Sequence, residues 1–237
     1  MKVVGISDIG LVREKNEDAF LIDEDQGFFL VCDGMGGHRG GQVASHMAVQ
    51  TIKQSMDGFS PANAKQRLIH AIEEANRAVL KAGLENENLF EMGTTITAAV
   101  IKGSQLIVAN VGDSSVFLIR NGTIRKITRD HTLAEEMLAN GILEPGEMRN
   151  SAYNHILTRA LGIDEEVEID IFIEDIMPGD IILMCSDGLT DMLIPEEILN
   201  IIKGHDSDLE MAGRQLLGEA LQKGGFDNIT IILLGFN

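Results

Sequence analysis

The chain has 237 residues, of which 37 are acidic and 19 are Lys or Arg, so its formal charge is −18 at pH 7. An acidic surface repels phosphate backbones, which makes nucleic acid a poor candidate partner. Hydrophobic residues make up 44% of the chain but form no stretch long enough to span a bilayer, and residues 3–6 already resemble a strand, so we expect a cytoplasmic protein without a signal peptide.

The first part of the chain predicts three strands. Residues 3–7 and 20–22 are apolar runs, and the charged residues 13–18 connect them. Residues 28–32 are five consecutive apolar residues, which predict a strand buried on both faces. Asp33 and several glycines follow this strand and predict a sharp turn. An aspartate in such a turn is either an ordinary turn residue or a carboxylate placed beside an accessible carbonyl, as a hard cation requires.

Two helices are predicted next. Residues 43–52 carry apolar side chains at helical spacing. Ser60 and Pro61 have the form of an N-cap followed by proline at the first helical position. The second helix then extends to about Lys81, with an apolar stripe that we assign to the core.

Four short strands in succession predict an antiparallel meander. They span residues 94–101, 105–111, 115–120 and 123–127. Asn121 and Gly122 form the preferred two-residue hairpin turn, because both positions tolerate a positive φ. Asp113 lies beside a glycine in another of these turns, where it repeats the position of Asp33 after an apolar run.

The last part of the chain mixes helices and strands. A short helix is predicted at 132–140, and the irregular segment 142–154 predicts a mobile flap that influences substrate choice. The remaining predicted elements are strands at 167–173, 181–185 and 229–234 and helices at 195–202 and 209–223.

The order of these elements favours layered antiparallel sheets in one domain, residues 1–237, over a parallel βαβ fold. Cys32 and Cys185 both lie inside apolar strands, which predicts buried free thiols in a reducing compartment.

Four aspartates stand where an apolar strand meets a glycine-bearing turn: Asp33, Asp113, Asp187 and Asp227. Each one alone is explained as a turn residue. If all four converge, their carboxylates repel each other near a medium of low dielectric, and a divalent cation is the simplest remedy. Oxygen donors suit Mg²⁺, Mn²⁺ or Ca²⁺ rather than zinc or copper.

A series of motifs in one order carries a family resemblance. It comprises Arg13 with Asn16-Glu17-Asp18, Asp33-Gly34-Met35-Gly36-Gly37, Gly93-Thr94-Thr95, Gly112-Asp113-Ser114, Asp130-His131, Ser186-Asp187-Gly188-Leu189 and Asp227-Asn228-Ile229-Thr230. The series resembles the metal-dependent protein serine/threonine phosphatases of type 2C in their short bacterial form. The resemblance implies an α+β fold, a four-layer α-β-β-α sandwich in which helix pairs flank two central antiparallel sheets.

The resemblance also implies two tight sites for Mn²⁺ or Mg²⁺ in a cleft at one edge of the sandwich. Asp33 would bridge the two cations, and Asp187 and Asp227 would complete one of them. Glu17 and the carbonyl of Gly34 would bind the other.

Three further roles are implied outside the two tight sites. Asp18 would hold metal-bound water, Asp113 with Asp187 would form a weaker third metal site, and Arg13 would bind the substrate phosphate through its fork of donors.

The implied reaction is hydrolysis of phosphoserine and phosphothreonine by in-line attack of a hydroxide that bridges the metals. Animal relatives carry a histidine just after the Asp-Gly pair, and this chain has Met35 there. The nearest histidine is His38, a candidate general acid. The alternatives are that His38 lies behind the metal ligands or on the surface, and that metal-bound water is the proton donor. Neither cysteine lies in a phosphate-cradling Cys-x5-Arg loop, so a thiol phosphatase is excluded.

The expected partners are phosphorylated proteins, including a bacterial serine/threonine kinase and its substrates, and nothing argues for more than a monomer. The alternative function is a catalytically inactive binding or regulatory module on the same fold. Such a module would be expected to lack metal carboxylates, whereas every expected ligand is present. An acidic calcium-binding protein is disfavoured, because the Asp-x-Asp-x-Asp-Gly loop is absent.

Overall fold

The computed structural model describes most of the chain. The described residues are 1–36, 40–59, 63–144, 146–147, 151–205 and 208–236. The predicted N-cap at Ser60 and Pro61 and the candidate acid His38 therefore lie outside the described residues.

Twelve strands are present in this part of the chain. They are β1 (Lys2–Asp8), β2 (Ala19–Asp23), β3 (Phe28–Cys32), β4 (Gly34–Met35), β5 (Gly93–Thr94), β6 (Ile96–Lys102), β7 (Gln105–Val111), β8 (Ser115–Arg120), β9 (Thr123–Lys126), β10 (Asp170–Asp175), β11 (Ile181–Cys185) and β12 (Ile229–Gly235).

Six α-helices accompany the strands in the same described ranges. They are α1 (Gly40–Met56), α2 (Ala64–Glu85), α3 (Leu133–Ala139), α4 (Asp187–Thr190), α5 (Pro195–Gly204) and α6 (Leu209–Gln222). None of the helices in the described ranges combines the length and the hydropathy that crossing a bilayer requires.

Ten of the strands form two five-stranded antiparallel sheets. The first sheet has the order β1-β12-β11-β8-β9, and the second has the order β10-β7-β6-β3-β2. The two short strands β4 and β5 form a separate pair at the end of β3, in which Gly34 faces Thr94 and Met35 faces Gly93.

The helices and sheets form four layers, and an apolar core lies between each pair of adjacent layers. One core lies between the second sheet and helices α1 and α2, and another lies between the first sheet and helices α5 and α6. The third core lies between the two sheets and includes Phe29, Val108, Met184 and Ile232. The predicted four-layer α-β-β-α sandwich is therefore confirmed.

The two uninterrupted apolar runs are explained by this layering. In β3, Leu30 and Cys32 pack on the helices while Phe29 and Val31 pack between the sheets. β11 repeats this division in the other sheet. Both predicted free cysteines are buried.

One predicted strand has different bounds in the structure. The strand expected at 167–173 is paired only over Asp170–Asp175, because its ladder begins where Asp170 faces Asn110 near the end of β7. The four-residue helix α4 was not predicted. Where segment 142–154 is described, it contains turns and bends without a helix or strand, and its role as a flap stays a prediction.

Candidate active site

A cleft of about 930 Å³ opens at the end of the sandwich where β3 and β11 terminate. Seven predicted site residues line it: Arg13, Glu17, Asp33, Gly34, Asp113, Asp187 and Asp227. Asp18 lies behind the cleft wall, where it is only 5% exposed. The structure thus brings together residues that come from five separate segments of the chain.

Two threonines hold Asp33 at the end of β3. The Asp33 amide donates to Thr95 Oγ1 at 2.9 Å, and the Thr95 amide donates to the Asp33 carbonyl at 2.8 Å. Thr94 Oγ1 donates to the same carbonyl at 2.8 Å. Thr95 Oγ1 also shares a hydrogen bond of 2.8 Å with Ser114 Oγ, so one side chain links the backbone of Asp33 to the turn that carries Asp113.

Glycine is required at position 34 because the chain is crowded there. A Cβ on Gly34 would lie 2.2 Å from the carbonyl oxygen of Gly41 and 2.6 Å from that of Glu17. Such distances are sterically impossible, so any side chain would push these segments apart. The Ser45 hydroxyl donates to the Glu17 carbonyl and keeps that segment in place.

Asn228 attaches the connection between β1 and β2 to the start of β12. Its Oδ1 accepts from the Glu17 amide at 2.8 Å, and its Nδ2 donates to the carbonyls of Ile9 and Lys15, both at 2.9 Å. The Asn228 amide donates to Asp227 Oδ1 at 2.8 Å. One buried asparagine therefore sets Glu17 and Asp227 relative to each other, through its side chain and its backbone amide respectively.

Asp18 belongs to a buried network beneath the cleft floor. Ser186 Oγ donates to Asp18 Oδ2 at 2.8 Å and accepts from the Thr230 amide at 2.9 Å. Asp18 Oδ1 is buried and has no hydrogen-bond partner among the described residues. Burial raises the pKa of Asp18 to about 7, although its hydrogen bonds oppose this shift.

The carboxylates raise one another's pKa values across the cleft. The pKa of Asp33 lies well above its usual range, first because of burial and then because of the charges of Asp18 and Asp187. The pKa of Asp113 is raised by burial and by the charges of Asp187 and Asp130. The site therefore strongly favours a compensating positive charge.

Arg13 supplies part of that charge at the mouth of the cleft. Its Nη2 donates to Asp227 Oδ2 at 2.6 Å, and its side chain is half-exposed. The same hydrogen bond raises the pKa of the Arg13 guanidinium, which stays protonated. Both oxygens of Asp227 therefore have protein partners, one from Arg13 and one from the Asn228 amide.

The donor set fits divalent cations that prefer oxygen. Asp187 Oδ1 is a second buried carboxylate oxygen without a hydrogen-bond partner in the described part of the chain. Buried polar atoms are normally satisfied, so an unpartnered carboxylate oxygen beside other carboxylates is suited to bind a cation. Carboxylates and a backbone carbonyl are ligands that Mg²⁺ and Mn²⁺ accept.

Two cleft residues were missed by sequence reasoning. His155 Nδ1 lies 3.6 Å from Asp191 Oδ2 and 3.9 Å from Asp187 Oδ2, and these three side chains could together hold a metal ion. The pKa of His155 is raised to about 9, mainly by its interaction with the Asp187 carboxylate and to a smaller extent by the charge of Asp191. No motif contains His155, and its position just after the predicted flap was the only signal.

Comparisons with known proteins show the family to which the chain belongs. Residues 12–221 match the family model described as Protein phosphatase 2C. The chain is 37% identical over 238 residues to the serine/threonine phosphatase stp of Listeria welshimeri, covering 98% of this chain and 94% of the relative. It is 32% identical over 247 residues to the protein phosphatase PhpP of Streptococcus pneumoniae, covering 100% and 98%.

Solved structures show the same fold. The Mycobacterium tuberculosis serine/threonine phosphatase PstP/Ppp superimposes with a TM-score of 0.93 at 31% identity, covering 100% of this chain and 98% of that one. The catalytic domain of PstP in complex with two manganese ions superimposes with a TM-score of 0.89 at 31% identity, covering 98% and 96%.

Proposed function

Because the chain belongs to the protein phosphatase 2C family and is a serine/threonine phosphoprotein phosphatase, we propose that it hydrolyses phosphoserine and phosphothreonine by direct in-line attack of hydroxide, without a phosphoenzyme. The observation that carries this mechanism is the convergence of six acidic side chains in one cleft, with a guanidinium at its mouth. Among the described residues that line the cleft there is no cysteine that could act as a nucleophile, and Cys32 and Cys185 are both buried.

We assign the cation ligands as the motifs suggest. Asp33 would be shared between two cations, Asp187 and Asp227 would complete one, and Glu17 with the Gly34 carbonyl would complete the other. The manganese pair in the related PstP domain supports metal dependence here. Divalent cations held by these residues would acidify water and offset the charge of the phosphoryl oxygens.

Asp113 and Asp187 would together hold a weaker third cation. The raised pKa of Asp113 and the orphaned Oδ1 of Asp187 support this assignment, because both indicate uncompensated negative charge. Asp191 adjoins Asp187 and is a candidate to complete that site, as is His155 once a cation displaces the proton that its raised pKa retains.

Arg13 would bind the substrate phosphate. A guanidinium presents paired N–H donors whose geometry matches two phosphate oxygens. In the structure it is paired with Asp227, so this role requires the side chain to leave that carboxylate when Asp227 binds a cation. Arg13 is half-exposed and therefore has room to move into the cleft.

Asp18 would act from beneath the cleft floor by accepting a hydrogen bond from a coordinated water molecule at its unpartnered oxygen. Ser186 fixes the other oxygen of Asp18 and so sets the direction of the carboxylate. The general acid stays a prediction, with His38 and metal-bound water as the two candidates.

Phosphorylated proteins are the substrates, and we propose a cognate serine/threonine kinase among the partners, with the phosphatase opposing it. The monomeric state and the cytoplasmic location stay predictions.

Hydrolysis of a phosphothreonine peptide with Mn²⁺, with Mg²⁺ and with EDTA tests the mechanism. We expect activity that requires a divalent cation and is lost in Asp33→Ala. Activity that survives complete chelation would contradict the two-metal assignment. If no cation supports activity, the inactive binding module becomes the better description.

A further inference from the structure

A buried histidine outside the cleft contacts the turn that carries Asp113. His131 lies between β9 and α3, is 5% exposed and does not line the cleft. Its Nδ1 accepts a hydrogen bond from the Gly112 amide at 3.1 Å, and its own amide donates to the Gly112 carbonyl at 3.0 Å. One residue thus engages both backbone polar groups of Gly112.

Gly112 has little freedom to respond if this contact changes. Its φ is +105°, and a Cβ at this position would lie 2.6 Å from Thr95 Cγ2. Asn110 Nδ2 also donates to the Gly112 carbonyl at 3.1 Å. Because Asp113 is the next residue, the orientation of the Gly112 peptide determines where the Asp113 carboxylate points.

The opposite side of His131 contacts a second segment of the cleft wall. The Thr158 amide donates to the His131 carbonyl at 2.8 Å, and Leu157 forms an antiparallel bridge with Thr132. We call residues 155–159 the return arm. This arm carries His155, whose Nδ1 lies 3.9 Å from Asp187 Oδ2. His131 therefore lies between the Asp113 turn and the return arm.

The hydrogen bonds at the two ring nitrogens define the tautomer of His131. Nδ1 accepts from Gly112, so the ring proton of the neutral imidazole is on Nε2. Nε2 lies 3.3 Å from Asp170 Oδ2 and 3.3 Å from Arg159 Nη1. Arginine has no acceptor, so Asp170 receives the Nε2 proton. Arg159 Nη1 donates to Asp170 Oδ1 at 3.0 Å. The carboxylate that accepts the Nε2 proton is therefore itself held in position.

We propose that His131 is a positioning residue for the cation site at Asp113. Its Nδ1 acceptor and its backbone hold the Asp113 turn and the return arm in register, so that Asp113 and His155 both face Asp187. The identity of the ligand rests on the proposed function, whereas the contact with Gly112 does not. Residues that orient metal ligands from outside the coordination sphere change metal affinity by about 10- to 100-fold when they are mutated.

Two isosteric substitutions test this role. His131→Asn places an amide oxygen near the position of Nδ1 and keeps an acceptor for Gly112. His131→Gln places its amide near Nε2, where it reaches Asp170 but not Gly112. The matched control is His70→Asn, because His70 is half-exposed on α2 and does not line the cleft.

We expect faster hydrogen exchange of the Gly112 amide in metal-free His131→Gln, with near-normal exchange in His131→Asn. In Mn²⁺ titrations, the weaker binding step should be lost or weakened about tenfold in His131→Gln, while the two tight sites and the control remain normal. Equal behaviour of the two variants, whether normal or impaired, would overturn the proposal, because Nδ1 would then not be the determinant.

Nitrogen NMR of the wild-type imidazole provides a test that requires no variant to fold. We expect the His131 ring to be protonated at Nε2 and bare at Nδ1 in the metal-free protein, and a protonated Nδ1 would refute the proposal. A further outcome is that hydrogen exchange at Gly112 and the His131 tautomer are both as expected while wild type shows no third, weaker step of Mn²⁺ binding. In that case the turn is positioned as proposed, and only the assignment of a third cation fails.

Discussion

The middle and the end of the buried strands serve opposite purposes. In β3, Phe29 is completely buried between the sheets, where burial of an apolar side chain stabilises the fold. Four residues later, Asp33 lies among other carboxylates that raise its pKa. β11 repeats this contrast, with Met184 in the core between the sheets and Asp187 at the cleft.

This comparison separates the residues that stabilise the protein from those that give it an activity. Carboxylates crowded at a partly buried edge destabilise the metal-free fold, because each opposes the ionisation of its neighbours. Active sites commonly carry such a cost, and substitutions that remove it raise stability while activity falls. A mutation in the middle of a buried strand should therefore lower stability and spare activity. A mutation of the acidic residue at the strand end should abolish activity and raise the stability of the metal-free protein.

The largest effect is expected from Asp33→Asn. Divalent cations supply several kcal/mol of transition-state stabilisation, so phosphopeptide hydrolysis should fall at least roughly a thousandfold. The metal-free variant should unfold at a higher temperature than metal-free wild type, because a carboxylate is removed from the cluster. The matched control is Asp25→Asn, the same change in the exposed turn before β3, and it should alter neither property. A metal-free Tm below that of wild type would contradict the comparison.

The opposite signature is expected from Phe29→Ala. Loss of a buried phenylalanine should lower the free energy of unfolding by about 3–5 kcal/mol, measured by urea denaturation. The activity per folded molecule should be unchanged, because Phe29 does not reach the cleft. Phe20, which is 36% exposed on β2, is the control, and Phe20→Ala should cost less stability. A specific loss of activity in folded Phe29→Ala would show that the two regions are coupled.

Arg13→Ala should act on the cleft mouth alone. A charge-assisted hydrogen bond contributes about 1.5–3 kcal/mol, so KM for a phosphopeptide should rise about 10- to 100-fold. Arg13→Lys keeps the charge but not the fork of donors and should recover only part of the loss. Steady-state kinetics with saturating Mn²⁺ measure both variants. A fall confined to kcat would count against the phosphate-binding role.

A further prediction concerns the pH dependence of the metal-free protein. The pKa of Asp18 is about 7 in the folded state, above its unfolded value of about 3.9. The folded state therefore binds the proton more tightly, and stability should decline as pH rises from about 4 to 7. Thermal unfolding in EDTA across this range measures the decline, and Asp18→Asn should flatten it. A metal-free protein that becomes more stable over this range would refute the prediction.

Much of the fold was predictable because a buried strand or helix leaves a pattern of apolar residues in the local sequence. The continuous apolar runs of β3 and β11 identified strands covered on both faces, and the order of elements identified layered antiparallel sheets. The boundary of β10 was wrong for a physical reason. Val167 and Ile169 pack on the helical core and continue the alternation, but the ladder with β7 begins only at Asp170. The alternation of apolar and polar residues shows which face of a segment is buried. It does not show how far the neighbouring strand extends to pair with it.

The sequence by itself identified five of the six acidic residues of the cleft. Four are aspartates that each follow an apolar strand beside a glycine, and Glu17 belongs to a motif of the family. Only the tertiary structure could show which residues in and around the cleft are contacted by four other side chains, those of Asn228, Thr95, His131 and His155. Asn228 contacts Glu17 across 211 positions in the chain, and His131 reaches Gly112 from another strand connection. Local patterns record propensity and burial, whereas contacts between distant segments depend on how the two sheets stack.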